Sequence, residues 1–124
     1  MLHRRQKESL IDYISRTVES EKLYLDSTLT LESLASKLSS NRDYVSKAIN
    51  STGLNFNRFI NALRASYAID LLLEKKNLGT SVADIADLSG FASARKMNCC
   101  IKQSTGVTAS ALRKRVYKIN PSEL

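Results

Sequence analysis

Apolar residues recur at three- and four-residue steps along most of the chain, the spacing that lines one face of an α-helix. Residues 4–21 read as an amphipathic helix, with Leu10, Ile14 and Val18 in line and Ile11 beside them. The stretch Leu25-Asp26-Ser27-Thr28 interrupts it. Thr30 suits the N-cap of a short helix with Leu31, Leu34, Ala35 and Leu38 on one face, because a side-chain oxygen there accepts an otherwise unpartnered N–H. The turn-formers Ser39-Ser40-Asn41 end that helix. A second short helix is expected from Arg42 to about Ser51, with Val45, Ala48 and Ile49 inward and Gly53 closing it. Asn55 suits the cap of the longest helix, striped by Phe56, Phe59, Ile60, Leu63, Tyr67, Leu71 and Leu72, which fades at Lys75-Lys76-Asn77.

The short-helix pattern then returns. Ser81 caps a helix with Val82, Ile85 and Ala86 inward, and Ser89-Gly90-Phe91-Ala92 makes the turn. Another helix runs from Ser93 to about Ser104, with Met97, Cys100 and Ile101 inward and Gly106 after it. Thr108 opens a last short helix with Leu112 and Val116 inward and Arg113, Lys114, Arg115 and Lys118 outward. Beyond Asn120-Pro121 a frayed tail is expected. Leu34-Ala35 repeats as Ile85-Ala86 at an offset of 51, Val45 as Met97 at 52, and Gly53 as Gly106 at 53. Each copy reads as cap, short helix, turn, second helix, glycine: a helix-turn-helix pattern found twice. The small alanine lets two steeply crossed helices approach, and Gly90 supplies the positive φ that a tight turn often needs. The expected fold is all-α: two helix-turn-helix subdomains joined by a long linker helix, about seven helices plus an N-terminal helix. The boundaries are an N-terminal linker helix at 1–24, a first subdomain at 25–54, a connecting helix at 55–78, a second subdomain at 79–118 and a tail at 119–124.

Composition agrees with this pattern. In 124 residues there are four Gly, one Pro and no Trp, scarce punctuation that favours helices over many short strands. No apolar run reaches the roughly 18 residues of a membrane span, and the start lacks a secretory apolar stretch. The two cysteines, Cys99 and Cys100, are adjacent and do not bridge easily on a helix, which points to a reducing compartment. The net charge of +7 is unevenly placed. Residues 1–87 carry 12 Lys/Arg against 11 Asp/Glu, whereas residues 88–122 carry seven Lys/Arg and no acid. Such a stretch suits a polyanion partner or serves as a solvated basic face. An enzyme is not supported: His3 has no partner set, and there is no glycine-rich phosphate loop or paired-carboxylate site. Cys99-Cys100 lacks a second Cys/His pair for a metal. No cofactor is implied.

The residues Leu34-Ala35, Tyr44-Val45-Ser46-Lys47, Asn55-Phe56, Phe59-Ile60, Leu63-Arg64, Ala68-Ile69-Asp70-Leu71-Leu72, Val82-Ala83-Asp84-Ile85-Ala86, Gly90-Phe91 and Thr105-Gly106-Val107-Thr108 resemble the DNA-binding domain of AraC/XylS-type bacterial transcription regulators. The resemblance covers about residues 22–117; it departs at Met97 and Cys100, where the family's second recognition helix usually has Phe, and at Ala109, where the family usually has Pro. It implies a cytoplasmic, non-enzymatic regulator that binds double-stranded DNA and contacts RNA polymerase. It also implies an effector or sensor region on an N-terminal part not contained in this chain. In some relatives that part is a membrane-anchored sensor, and Arg4-Arg5-Lys7 would then be charge beside a membrane tether. The rival reading is a helical protein-interaction module without DNA specificity.

On the DNA-binding reading, the second helix of each unit enters a major groove. A connector of about twenty residues spans roughly 30 Å at ~1.5 Å per residue, close to the ~34 Å of one DNA turn. Two successive grooves are then within reach, the duplex bending if the separation falls short. Arg42, Ser46 and Asn50 on the first reader, and Ala94, Arg95 and Asn98 on the second, are the expected base contacts; Ala94 would meet a thymine methyl. Lys47, Lys96, Lys102, Arg113, Lys114 and Arg115 are the expected phosphate contacts. Arg42 also fits an ordinary solvated helix start, Tyr44 fits either the core edge or a phosphate, and Asp43 complements its helix N-terminus. Thr30, Ser81 and Thr108 fit simple caps as well as phosphate-accepting helix starts.

Overall fold

The computed structural model describes residues Glu8–Tyr117. His3, the expected first turn with Arg4, Arg5 and Lys7, and Lys118 with the tail lie outside them. The described residues form seven α-helices: α1 Leu10–Ser20, α2 Leu31–Lys37, α3 Arg42–Asn50, α4 Phe56–Leu73, α5 Val82–Leu88, α6 Ala94–Thr105 and α7 Ala109–Val116. Single 3-10 turns stand at Leu23–Leu25 and Lys75–Asn77, and the described residues contain no strand. The all-α expectation holds, with the N-terminal helix one of the seven rather than an eighth. None of these helices is long and apolar enough to cross a membrane.

Local chemistry sets where each helix begins. The first N–H groups of a helix have no acceptor within it, and a side-chain oxygen supplies one in every case. Ser9, Thr30, Asn41, Asn55, Ser81, Ser93 and Thr108 accept from the backbone N–H three residues on, at 2.9–3.2 Å. At Thr30 the exchange is reciprocal, because the Ser33 hydroxyl also accepts the Thr30 N–H. Each such cap is worth about 1 kcal/mol.

The chain divides into two compact units, Met1–Ile60 and Asn61–Leu124. In the first, α1 and α2 both pack on α3. Ile14, Val18, Leu34, Ala35, Val45, Ile49 and Ile60 are buried there, so α1 contributes core and does not stand apart from the unit. In the second, α5 packs on α6 and α6 on α7. Its core joins Ala65, Ala68, Leu72, Ile85, Ala86, Phe91, Met97, Ile101 and Ala109. Two expectations change. Of the α4 stripe, Ile60 and Leu72 are buried, whereas Phe56, Phe59, Leu63, Tyr67 and Leu71 are half-buried. The small Ala65 and Ala68 take the buried places instead. Val116 is 50% exposed, because it is the last residue of α7 and its side chain lies beyond the core that Ala109 and Leu112 reach.

The two turns share one hydrogen-bond design. After α2, the Ser40 N–H reaches back to the Ala35 carbonyl at 2.9 Å and Ser39 N–H to Ser36 at 3.1 Å. After α5, the Phe91 N–H reaches the Ala86 carbonyl at 3.0 Å and Gly90 N–H to Asp87 at 3.2 Å. This paired closure needs a left-handed residue just past the helix end. Gly90 fills it at φ 84°, and Ser39 fills it at φ 55°. The repeat offset of 51 that aligns Ala35 with Ala86 also aligns Ser39 with Gly90. Ser89, wholly buried, donates its hydroxyl to the Ile85 carbonyl at 2.7 Å, so that buried hydroxyl has an acceptor.

Left-handed backbone is disfavoured for a residue with a Cβ by roughly 1–2 kcal/mol, and glycine escapes that cost. Ser39→Gly should therefore raise stability by about 0.5–1 kcal/mol, and Gly90→Ala should lower it by at least about 1 kcal/mol. Thermal or urea unfolding checks the pair; a destabilised Ser39→Gly contradicts the backbone argument.

Candidate nucleic-acid interface

In each unit the second helix after the tight turn, α3 or α6, buries one face and shows the other. On α3, Val45 and Ile49 are buried, while Arg42, Asp43, Tyr44, Lys47 and Asn50 are exposed. Tyr44 is 62% exposed, which settles it as a surface residue and not core edge. Ser46, expected outward, is half-buried, because it follows Val45 on the shoulder of the buried face. On α6, Met97 and Ile101 are buried, while Arg95, Lys96, Cys99, Lys102 and Gln103 are exposed. Ala94 is half-buried against the second core, so its methyl is turned partly inward. Cys100 is likewise half-buried, and burial, reinforced by the neighbouring Cys99, pushes its thiol pKa up.

Arg42 does not stand alone. Its Nε donates to Glu32 Oε2 of α2 at 2.9 Å, and its Nη1 lies 3.7 Å from Asp43 Oδ1. The Glu32 carboxyl is held below its usual range, first by its own backbone N–H and then by Arg42. Both partners are more than half exposed, so water screens the pair and it contributes little to stability. A phosphate or a guanine edge can compete for that guanidinium. The end formed by Nη1 and Nη2, which spans guanine O6 and N7, is not the atom that Glu32 occupies.

Two residues expected on the DNA face are bonded within the chain. Arg113 is half-buried, and its Nη1 donates to the carbonyls of Thr80 at 2.8 Å and Asn77 at 3.2 Å. It is not an outward cation; it ties α7 to the segment that leads into α5. Tyr117 adds to this tie by donating its hydroxyl to the Leu73 carbonyl at the end of α4, and Asn77 Nδ2 donates to the Leu71 carbonyl at 3.0 Å. The Tyr117 and Asn77 bonds reach carbonyls in the last turn of α4, of which Leu71 also accepts the Glu74 N–H at 3.3 Å. Asn98, also half-buried, accepts the Ala109 N–H on Oδ1 at 2.8 Å. The helix-start candidates have their hydroxyls engaged as caps: Thr30, Ser81 and Thr108 each accept from their own helix. At α7, the N–H groups of Ala109 and Ala111 both have acceptors within the chain.

Of the expected contact residues, the exposed cations are therefore Lys47 on α3, Arg95, Lys96 and Lys102 on α6, and Lys114 and Arg115 on α7, with Arg42 in exchangeable contact. Tyr44, Cys99 and Gln103 also lie on these exposed faces, the last two outside the contacts expected from sequence. Cys99 falls four residues from Arg95 and three from Lys96 and Lys102, a spacing that marks a shared helix face, whereas Gln103 has no expected contact at either spacing.

The repeated helix, tight turn and polar second helix are those of a helix-turn-helix domain. A model of the helix-turn-helix domain family matches residues 34–115, and the chain belongs to that family in its AraC/XylS-type form. Among solved structures it is similar to the C-terminal domain of AraT, a response regulator from Geobacillus stearothermophilus. The identity is 26% and the TM-score 0.73, over 94% of this chain and 93% of that one. It is also similar to the C-terminal domain of the two-component response regulator yesN from Fusobacterium nucleatum, at 25% identity and TM-score 0.68, covering 82% and 94%. The DNA-binding domain of AdpA, a global transcriptional factor solved with a target DNA, shares the fold at 20% identity and TM-score 0.72, covering 90% and 96%. No curated protein sequence matches the chain.

Because Arg113 bridges two backbone carbonyls, Arg113→Ala should lower stability by about 1.5–3 kcal/mol. Lys114→Ala and Arg115→Ala, both on the exposed face, should change it by less than about 0.5 kcal/mol. Urea unfolding of the three variants checks this, and equal midpoints would contradict the bonded role.

Proposed function

We propose that the chain binds double-stranded DNA sequence-specifically and regulates transcription, each unit offering one recognition helix, α3 or α6, to a major groove. The observation that carries this reading is the duplicated helix-turn-helix with a solvent-facing, polar second helix in both copies. Membership of the helix-turn-helix family supports it, as does the fold shared with AdpA, a transcriptional factor solved with a target DNA. The basic surface of α6 and α7 supplies the phosphate attraction that such binding requires.

Within this reading the contacts divide by chemistry. Arg42 and Arg95 read base edges, helped by Asn50, whose amide suits adenine. Ser46 and Ala94 lie at the margins of their reading faces. Lys47, Lys96, Lys102, Lys114 and Arg115 meet phosphates, which fix register without specifying sequence. Successive major grooves are the proposed pair of sites. By likeness to the response-regulator C-terminal domains, the chain acts as the output part of a longer regulator whose sensing region lies elsewhere. We extend the reading to cytoplasmic work, to contact with RNA polymerase and to a membrane tether on that sensing part in the longer protein. No catalytic step is assigned to it.

Selection of bound sites from random duplexes tests the proposal: recovery of no preferred sequence favours an interaction module instead. On the selected site, Arg95→Ala should cost roughly 1–3 kcal/mol in affinity and leave binding to unrelated duplex nearly unchanged. Lys102→Ala should weaken both alike and lower the salt dependence by about one counterion. Equal losses from the two variants on both duplexes would overturn the division between reading and anchoring.

A further inference from the structure

Asn98 lies on α6, the helix proposed to read DNA, yet its carboxamide oxygen is occupied by the Ala109 N–H at 2.8 Å. Ala109 opens α7 and is wholly buried. Its N–H has no acceptor within its own helix, and burial separates it from water, so an acceptor supplied by the chain matters greatly. The Thr108 hydroxyl does not fill that need, because it accepts from Ala111. Asn98 supplies the acceptor from the middle of α6. At the other end of α7, Arg113 and Tyr117 bond to the carbonyls of Thr80, Asn77 and Leu73. Side chains therefore fasten α7 at both ends, to α6 at its start and to the segment after α4 at its finish.

Recognition of adenine by an Asn side chain uses the amide oxygen and nitrogen together. Half-buried and with one lone pair of its oxygen taken by Ala109, Asn98 has less freedom to make that contact than an exposed side chain. We propose that Asn98 is a positioning residue: through the Ala109 N–H it fixes the setting of α6 against α7, and thereby the place where Arg95, three residues earlier, meets the DNA. This rests on the DNA-reading proposal above. It predicts that the need for Asn98 disappears if residue 109 has no N–H. Proline is the residue without one, and it suits the first position of a helix. Thr108, at φ −75° and ψ 167°, already has the extended backbone required before a proline.

The test uses the whole chain, a duplex site selected with the wild type, and the variants Asn98→Ala, Asn98→Asp, Ala109→Pro and Asn98→Ala with Ala109→Pro. Asn98→Ala should weaken binding to the selected site by about five- to tenfold and lower the melting midpoint by roughly 5 °C. Adding Ala109→Pro should recover most of both losses. Asn98→Asp keeps an acceptor beside the start of α7, where negative charge is favourable, and should keep the wild-type midpoint. If Ala109→Pro does not fold, that comparison decides: a midpoint kept by Asp and lost with Ala supports the positioning role, and equal loss overturns it. The role is also overturned if Asn98→Ala binds the site as the wild type does. It is overturned again if that variant loses preference at a single base pair and Ala109→Pro does not restore it. A wild-type chain that selects no site overturns the DNA-reading proposal itself, and the positioning role falls with it.

Discussion

The structure depends on a tight reversal made twice: a short helix ends, one residue turns left-handed, and a side-chain oxygen starts the next helix. Ala35 and Ala86 sit at that reversal in two capacities. Each is buried, and each lends its carbonyl to the N–H that closes the turn. A larger side chain there would separate the helices, and a turn without the left-handed residue would not bring the N–H back to that carbonyl. Once the reversal is fixed, Val45 and Ile49 in one unit, and Met97 and Ile101 in the other, must face inward. The polar side chains between them are then left facing solvent.

The basic C-terminal stretch divides into cations that hold the fold and cations that face out. Arg113 stabilises the segment before α5 by donating to two carbonyls. Lys114 and Arg115, its neighbours in sequence, remain exposed. Arg42 stands between these cases, paired with Glu32 in water, where a stronger anionic partner can replace the carboxylate. Burial and hydrogen bonding, more than formal charge, decide which basic residues are available to a polyanion.

Much of the fold was legible because its signals are local. Caps are single residues with a suitable oxygen, and Thr30, Asn55, Ser81 and Thr108 all cap where the sequence placed them. The repeat offset alone aligns the two turns. Spacing was less informative along α4, where a stripe of bulky side chains drew attention from Ala65 and Ala68. Small residues become core when helices approach closely, and hydrophobic periodicity gives them little weight. The roles of Arg113 and Asn98 were hidden for another reason. Their partners are 33–36 and 11 residues away, so helix-face patterns place them outward while tertiary hydrogen bonds draw them in. Val116 shows the converse, an apolar residue on the right face but one turn past the core.

On the proposed reading, α3 and α6 each occupy a major groove. Protection of guanine N7 from methylation on a selected duplex tests it most directly, since that atom lies in the major groove. Two protected patches are expected, their centres about 10 base pairs apart, with the patch under α6 lost in Arg95→Ala and the patch under α3 lost in Arg42→Ala. A single protected patch, or two that respond alike to either substitution, would contradict it.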